Sequence, residues 1–196
     1  MIGAWLRGLA LLRHPELVRD LGRRRFHLMQ IEQIRGQFPA ARISDDVVLV
    51  NYSPGRLTLG DRSKIESGSV LSFAGEREGE GRLEVGADTW IGQYNNFRCG
   101  NGSVRIGAHC LISQFCSLVA TSHEFSARVP IAQQGSRTER AGVTLGDEVW
   151  LGAGVIVLPG VNVGRGGVIG AGSVVTRSTG EYEVWAGVPA VKISDR

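Results

Sequence analysis

The stretch that decides the fold is VWLGAGVIVLPGVNVGRGGVIGAGSVVT, residues 149–176. Aliphatic residues recur in it every six positions, at Leu151, Val157, Val163, Ile169 and Val175. A six-residue period fits neither the 3.6-residue turn of a helix nor the two-residue alternation of a strand. It predicts a triangular solenoid, in which three short flat strands make one coil and each strand points one large residue inward.

The same period extends through most of the chain before this stretch. Glycine often follows the large residue, and we expect it to tolerate the backbone of the corner. A small residue four positions after the large one is expected to fill the remaining interior. At three hexads to a coil, the pattern predicts about five coils, with a partial coil ahead of them at Ile43 and Leu49. The other large residues are Leu59, Ile65, Leu71, Val85, Ile91, Phe97, Ile106, Ile112, Leu118 and Leu145.

The period is interrupted once over a long segment, residues 119–142. This excursion loop contains the sequence TSHEF, with His123 near its start. Loops that leave a rigid scaffold are where binding and catalytic residues tend to lie. Imidazole suits the task of a general base because it exchanges a proton near neutral pH. His123 is therefore a candidate base, whereas His109, at a predicted corner, is expected to be solvated.

Composition narrows the classes of partner and compartment. The net charge of the 196 residues is +3, and the basic residues are scattered, so no footprint for nucleic acid is visible. Three cysteines without a CxxC pair favour a reducing compartment. Cys110 and Cys116 fall at inward-facing packing positions. The apolar N-terminus is broken by Arg7 and Arg13, too soon for a signal peptide or a membrane span, so we predict a cytoplasmic protein.

Residues 1–42 lack the six-residue period and predict an N-terminal helical cap on the solenoid. Apolar residues recur there at helical spacing from Trp5, and Pro15 is expected to begin a second helix. The alternative is a membrane-surface helix, with the basic run 23–25 near anionic lipid at the inner face of the membrane. The solenoid domain is predicted over 43–179, including the loop 119–142, and a C-terminal tail over 180–196.

The hexads, the stretch 149–176, the His-bearing loop and the terminal AGVPAVKI (186–193) together resemble the hexapeptide-repeat acyltransferases. The likeness covers residues 57–193 and is greatest to the galactoside, maltose and polysaccharide O-acetyltransferases. It implies a mainly β fold, the left-handed parallel β-helix, and a homotrimer with active sites in clefts between neighbouring prisms. It also implies acetyl-CoA as donor, with no metal required.

The resemblance assigns roles to particular residues. His123 matches the general base, Asn95 the amide that faces the same cleft, and the Ala153 N–H the donor to the oxyanion. Glu124 or a backbone carbonyl could orient the imidazole. The basic residue of many relatives directly follows Pro-Ala, whereas Val191 stands there in this chain, so the phosphate contact is open among Lys192, Arg177 and Arg165. The implied cofactor-binding residues are Trp150, Gly152, Ala153, Ala171, Thr176, Pro189 and Lys192.

The expected activity is direct transfer of acetyl from acetyl-CoA to a sugar hydroxyl of a polysaccharide or lipid-linked glycan precursor. An antibiotic, serine or amino-sugar acceptor and a non-catalytic structural solenoid are the alternatives. A zinc-dependent γ-type carbonic anhydrase would need three histidine ligands, and the solenoid sequence has only His109 and His123.

Overall fold

The computed structural model describes residues 14–74 and 81–196, and the chain divides into two units, Met1–Gln37 and Phe38–Arg196. In the first unit, helix α1 spans Pro15–Gln37 and begins at the proline that the sequence indicated. Ile31 and Ile34 are buried, whereas other large apolar residues of α1 are exposed. No described helix is long and apolar enough to cross a membrane.

The helix predicted near Trp5 lies outside the described residues. The two roles considered for the N-terminal segment, a cap and a membrane-surface helix, stay predictions.

The second unit is a parallel β-solenoid with three faces, as the six-residue period predicted. Face 1 contains β1 (Arg42–Ile43), β4 (Lys64–Ile65), β7 (Trp90–Ile91), β10 (Leu111–Ile112), β15 (Trp150–Leu151), β18 (Val168–Ile169), β20 (Glu183–Gly187) and β21 (Ala190–Asp195). Face 2 contains β2 (Val48–Val50), β5 (Val70–Phe73), β8 (Asn96–Gly100), β11 (Ser117–Val119), β16 (Ile156–Val157) and β19 (Val174–Val175). Face 3 contains β3 (Leu57–Leu59), β6 (Arg82–Val85), β9 (Ser103–Ile106), β14 (Val143–Leu145) and β17 (Val161–Val163).

The periodic residues form inward columns, one on each face. On face 1, Ile65 lies beside Ile91 and Ile91 beside Ile112, and all three are buried. Burying one such side chain contributes about 1.5–3 kcal/mol relative to leaving it exposed. Cys110 and Cys116 also point inward and are fully buried, as predicted. The core of the solenoid is therefore a stack of equivalent aliphatic layers.

The structure corrects the expected role of the glycine that follows each large residue. At Gly86 an added Cβ would lie 2.5 Å from the Ala108 nitrogen, and at Gly152 it would lie 2.6 Å from the Ala171 nitrogen. These glycines let successive coils approach closely. The positive φ of the corners occurs two residues later, for example at Asp88 (φ 56) and Gly154 (φ 70).

The number of coils agrees with the sequence when the predicted partial coil is included. Face 2 has six strands, one for each coil, and the hexads predicted about five coils with a partial coil ahead of them. The additional coil begins with β1 and β2, which contain the Ile43 and Leu49 of the predicted partial coil. The segment predicted as the C-terminal tail contains two strands. Strand β20 joins face 1 parallel to β18, and β21 returns antiparallel to β20.

Candidate active site

The excursion loop is a folded hairpin that leaves the solenoid at the end of β11. Strand β12 (Ser122–His123) pairs antiparallel with β13 (Ser136–Arg137), and His123 lies opposite Ser136. A short 3₁₀ turn, Ile131–Gln133, precedes β13. The Gln134 side chain fastens the loop by donating to the backbone carbonyls of Ala127 (2.9 Å) and Val129 (2.8 Å). The hairpin thus holds His123 on ordered backbone.

The His123 side chain is exposed and has no hydrogen-bond or ion-pair partner within residues 14–74 and 81–196. The carboxylate of Glu124 lies 3.7 Å from the Arg137 guanidinium. No hydrogen bond or ion pair in the described part of the chain joins Glu124 to His123. The imidazole nitrogens therefore make no contact of these kinds with the described part of the chain.

A pocket of about 230 Å³ lies beside this hairpin. Arg140 donates across it to the Thr176 carbonyl over a long distance of 3.5 Å. Thr176, a predicted cofactor residue, therefore lines the same pocket as the hairpin. Arg137 and Arg140 were not predicted as pocket residues from the sequence. Their spacing of three within the loop could have indicated that they lie close together. The lining residues are Ser122, Arg137, Arg140, Leu158, Pro159 and Thr176.

Asn95 lies inside the solenoid and is 1% exposed. Its amide donates to the Gly92 carbonyl (2.7 Å), and its oxygen accepts the Cys116 N–H (2.8 Å). The Asn95 N–H in turn donates to the hydroxyl of Ser69 in the previous coil (3.3 Å). Asn95 thus belongs to an internal polar ladder, in which a side chain of one coil accepts a backbone N–H of the next. The structure does not bring it to the surface with His123.

The edge between faces 1 and 2, which we call the 1–2 edge, carries the residues of the Gly-Ala-Gly motifs. Ala153 and Ala171 occupy equivalent places in successive coils, and the Gly172 N–H donates to the Ala153 carbonyl (2.8 Å). Within the described residues, the N–H groups of Ala153 and Ala171 have no acceptor. Two backbone donors are therefore available along this edge. Trp150 projects from face 1 just before them and is half-exposed.

The C-terminal hairpin places Pro189 and Lys192. Pro189 follows a cis peptide bond and is exposed in the turn between β20 and β21. The Lys192 ammonium lies 2.7 Å from Asp195 and 3.0 Å from Glu183. Hydrogen bonds, first to Asp195 and then to Glu183, raise the pKa of Lys192. The charge of Lys192 is thus already paired within the hairpin.

No cysteine is positioned to act as a nucleophile. Cys99, Cys110 and Cys116 are all buried as free thiols. Burial raises the pKa of Cys99 to about 12 and that of Cys110 to about 11. A thiol that stays protonated at neutral pH is a poor nucleophile. In the described residues no three His, Cys, Asp or Glu side chains are grouped so as to hold a metal ion.

Comparison with known proteins agrees with this geometry. Residues 142–177 match the profile of the bacterial transferase hexapeptide, six repeats. The chain is 36% identical over 115 residues to the putative colanic acid biosynthesis acetyltransferase WcaF of Escherichia coli K12, covering 59% of each chain. It is 34% identical over 112 residues to the galactoside O-acetyltransferase of the same strain, covering 55% of this chain and 54% of that one.

A solved structure extends the likeness of this hexapeptide-repeat chain beyond the matched segment. A variant of AntD, an N-acyltransferase from Bacillus cereus in complex with dTDP and coenzyme A, is 25% identical with a TM-score of 0.70. The match covers 84% of this chain and 89% of AntD. The chain spans about three fifths of the length of the curated relative WcaF and about half that of the galactoside enzyme.

Proposed function

We propose that this protein is an acetyl-CoA-dependent O-acetyltransferase acting on a sugar hydroxyl. The observation that carries the proposal is the unpartnered imidazole of His123, held by a hairpin at the one long interruption of the solenoid. The relatives named above as acetyltransferases act on galactosides or belong to colanic acid biosynthesis. The names of both relatives support acyl transfer onto a sugar.

The proposed reaction is a direct transfer. The acceptor oxygen attacks the thioester carbonyl of acetyl-CoA while His123 removes its proton. The oxyanion that forms accepts a hydrogen bond from the Ala153 N–H, because preorganised donors stabilise such charge. The C–S bond then breaks, and the coenzyme A thiolate takes a proton, which the imidazolium can return. No acyl-enzyme is invoked, since the described thiols are buried and stay protonated.

The proposed base and the proposed cofactor-binding residues lie on different parts of one chain. A complete site would therefore combine residues of two copies, which favours the homotrimer. His123 and Thr176 belong to the hairpin side, whereas Trp150, Ala153 and Ala171 lie on face 1 and the 1–2 edge. Faces 1 and 2 expose apolar side chains, including Leu111 and Ile156, while face 3 shows an Arg105–Glu84 ion pair (3.3 Å). We infer that the His123 hairpin of one copy meets the 1–2 edge of another.

N-acylation of an amino sugar is the second candidate, and the likeness to AntD favours it. A protein base is needed less for an amine, because a neutral amine is already nucleophilic. The two candidates therefore differ in how strongly activity depends on His123. A hydroxyl acceptor requires the base, whereas an amine acceptor tolerates its loss.

The test measures coenzyme A thiol release with acetyl-CoA and a panel of methyl glycosides, amino sugars, serine and chloramphenicol. We expect His123→Asn to lower kcat at least about a hundredfold with a glycoside acceptor, which is the low end of general-base contributions. The matched control is His109→Asn, since His109 is exposed at a corner with φ 57, a conformation that asparagine tolerates. An active His123→Asn enzyme would refute the assignment, and thiol release only with amines would favour N-acylation.

A further inference from the structure

The 1–2 edge carries a pair of exposed aromatic rings that the proposed reaction does not use. Tyr94 and Phe115 stack with ring centroids 5.5 Å apart and planes 7° apart. They are 58% and 60% exposed. Both occupy the corner position with positive φ, 57° for Tyr94 and 62° for Phe115. This conformation is unfavourable for bulky residues, so packing of the solenoid alone does not account for two aromatic side chains there.

The neighbouring coils have glycine at the same position of this edge. The column reads Gly68, Tyr94, Phe115, Gly154 and Gly172, each with positive φ. The Tyr94 ring covers Gly68, because a Cβ added at Gly68 would lie 2.3 Å from a ring carbon of Tyr94. Phe115 then stacks on the other side of Tyr94. The rings therefore lean toward the N-terminal coils.

This arrangement leaves the outer face of Phe115 open toward the C-terminal coils. A Cβ added at Gly154 would meet nothing nearer than 4.0 Å, and one at Gly172 would meet nothing within 4 Å. Phe115 thus closes one end of a shelf whose floor is the backbone of Gly154 and Gly172. The shelf is immediately beside the free N–H of Ala153, the proposed donor to the oxyanion.

Polar groups lie next to the rings on the same edge. Gln93 and Gln114 directly precede Tyr94 and Phe115, and both are exposed. The Gln114 carbonyl accepts the Gly154 N–H (3.0 Å), which fixes this coil against the shelf. An aromatic face for the C–H side of a pyranose, with amide groups beside it for hydroxyls, is chemistry suited to a sugar ring.

We propose that Phe115 and the Gly154 shelf form a stacking subsite for a sugar ring of the acceptor adjacent to the one that is acetylated. Successive coils are about 4.8 Å apart, close to the width of one sugar ring. Phe115 belongs to the coil before that of Ala153, so a ring that contacts Phe115 lies on the N-terminal side of the hydroxyl that reacts near Ala153. The preferred acceptor then has at least two rings. This inference rests on the proposed function and narrows its substrate class to oligomeric or polymeric glycans.

The test compares a methyl glycoside with the matching linear tetrasaccharide, in galacto and gluco series, using thiol release. Phe115→Asn removes the platform while suiting the backbone, because asparagine tolerates positive φ. We expect it to raise KM for the tetrasaccharide about three- to tenfold, the effect of losing one stacking contact. KM for the methyl glycoside and for acetyl-CoA should not change. Gly154→Asn fills the shelf and should also raise KM for the tetrasaccharide.

Tyr182→Asn is the matched control. Tyr182 also has positive φ (55°) and covers a glycine, Gly166, but it lies on the edge between faces 3 and 1. It should leave every KM unchanged. An equal KM change for both acceptors, or none in Phe115→Asn, would overturn the subsite while leaving O-acetylation in place.

The mass of the variant in sedimentation separates the remaining outcomes. A smaller assembly for Phe115→Asn would make the rings an interface between copies and also overturn the subsite. If the wild-type protein releases no thiol with any glycoside, the proposed function fails, and the subsite fails with it.

Discussion

The internal position of Asn95 leads to a prediction that distinguishes a structural role for this side chain from a catalytic one. Replacing Asn95 by alanine leaves the Cys116 N–H without its acceptor, the Asn95 side-chain oxygen at 2.8 Å. The Gly92 carbonyl keeps the Ser69 hydroxyl as a donor at 3.2 Å. One buried donor is therefore left unsatisfied, at a cost of about 1–3 kcal/mol. For a chain of this length we expect Tm to fall by about 2–12 °C, since each kcal/mol corresponds to about 2–4 °C.

The assay is thermal unfolding followed by circular dichroism, at one fixed protein concentration because an oligomer's Tm depends on it. The kcat of the folded variant is measured well below its Tm. A structural role predicts a lower Tm with kcat within about threefold of the wild type. Asn95→Ala with an unchanged Tm and a kcat lowered a hundredfold would refute this reasoning and support the catalytic amide that the family resemblance implies.

Two further predictions concern the coils and the C-terminal hairpin. Gly86→Ala should destabilise the protein by about 1–3 kcal/mol in thermal unfolding, because its Cβ would press on the next coil. Gly22→Ala in α1, where an added Cβ would meet nothing within 4 Å, should be neutral or stabilising. An equal loss of stability in the two variants would contradict the conclusion that Gly86 is needed for the close approach of the coils. Hydrogen bonds from Trp185 and then Lys192 lower the pKa of Glu183, so its contribution is present above the unfolded pKa and is lost as pH falls through the folded one. Glu183→Gln should therefore flatten the acid side of the Tm–pH profile, and an unchanged profile would count against this linkage.

The six-residue period was sufficient to predict the solenoid and its inward residues. Leu118 and Ile112 are buried as the pattern required. The prediction succeeds because each strand contributes one large residue at a fixed place in its own hexad. The excursion with His123 was equally visible, since an insertion interrupts a regular repeat. These features depend on residues near one another in the chain.

The roles of other residues depend on contacts between coils, and the sequence assigned them less well. The glycine at position 86 meets Ala108 and Asn95 bonds to Cys116, in each case a residue about twenty positions away. The sequence placed Asn95 at a small-residue position and flagged that a buried amide there would need partners, but only the coil stacking supplied them. The pairing of Lys192 with Glu183 likewise appeared only when the tail folded back on face 1.

By itself, then, the sequence determined that the chain coils with three strands to a turn, and where it leaves that path. Only the tertiary structure decided which polar side chains face the interior, which backbone donors stay open at the 1–2 edge, and which aromatic rings meet. The physical reason is register. A hexad sets the direction of a side chain, but the neighbouring coil sets what that side chain meets, and that neighbour lies about 16 to 39 residues away in the sequence.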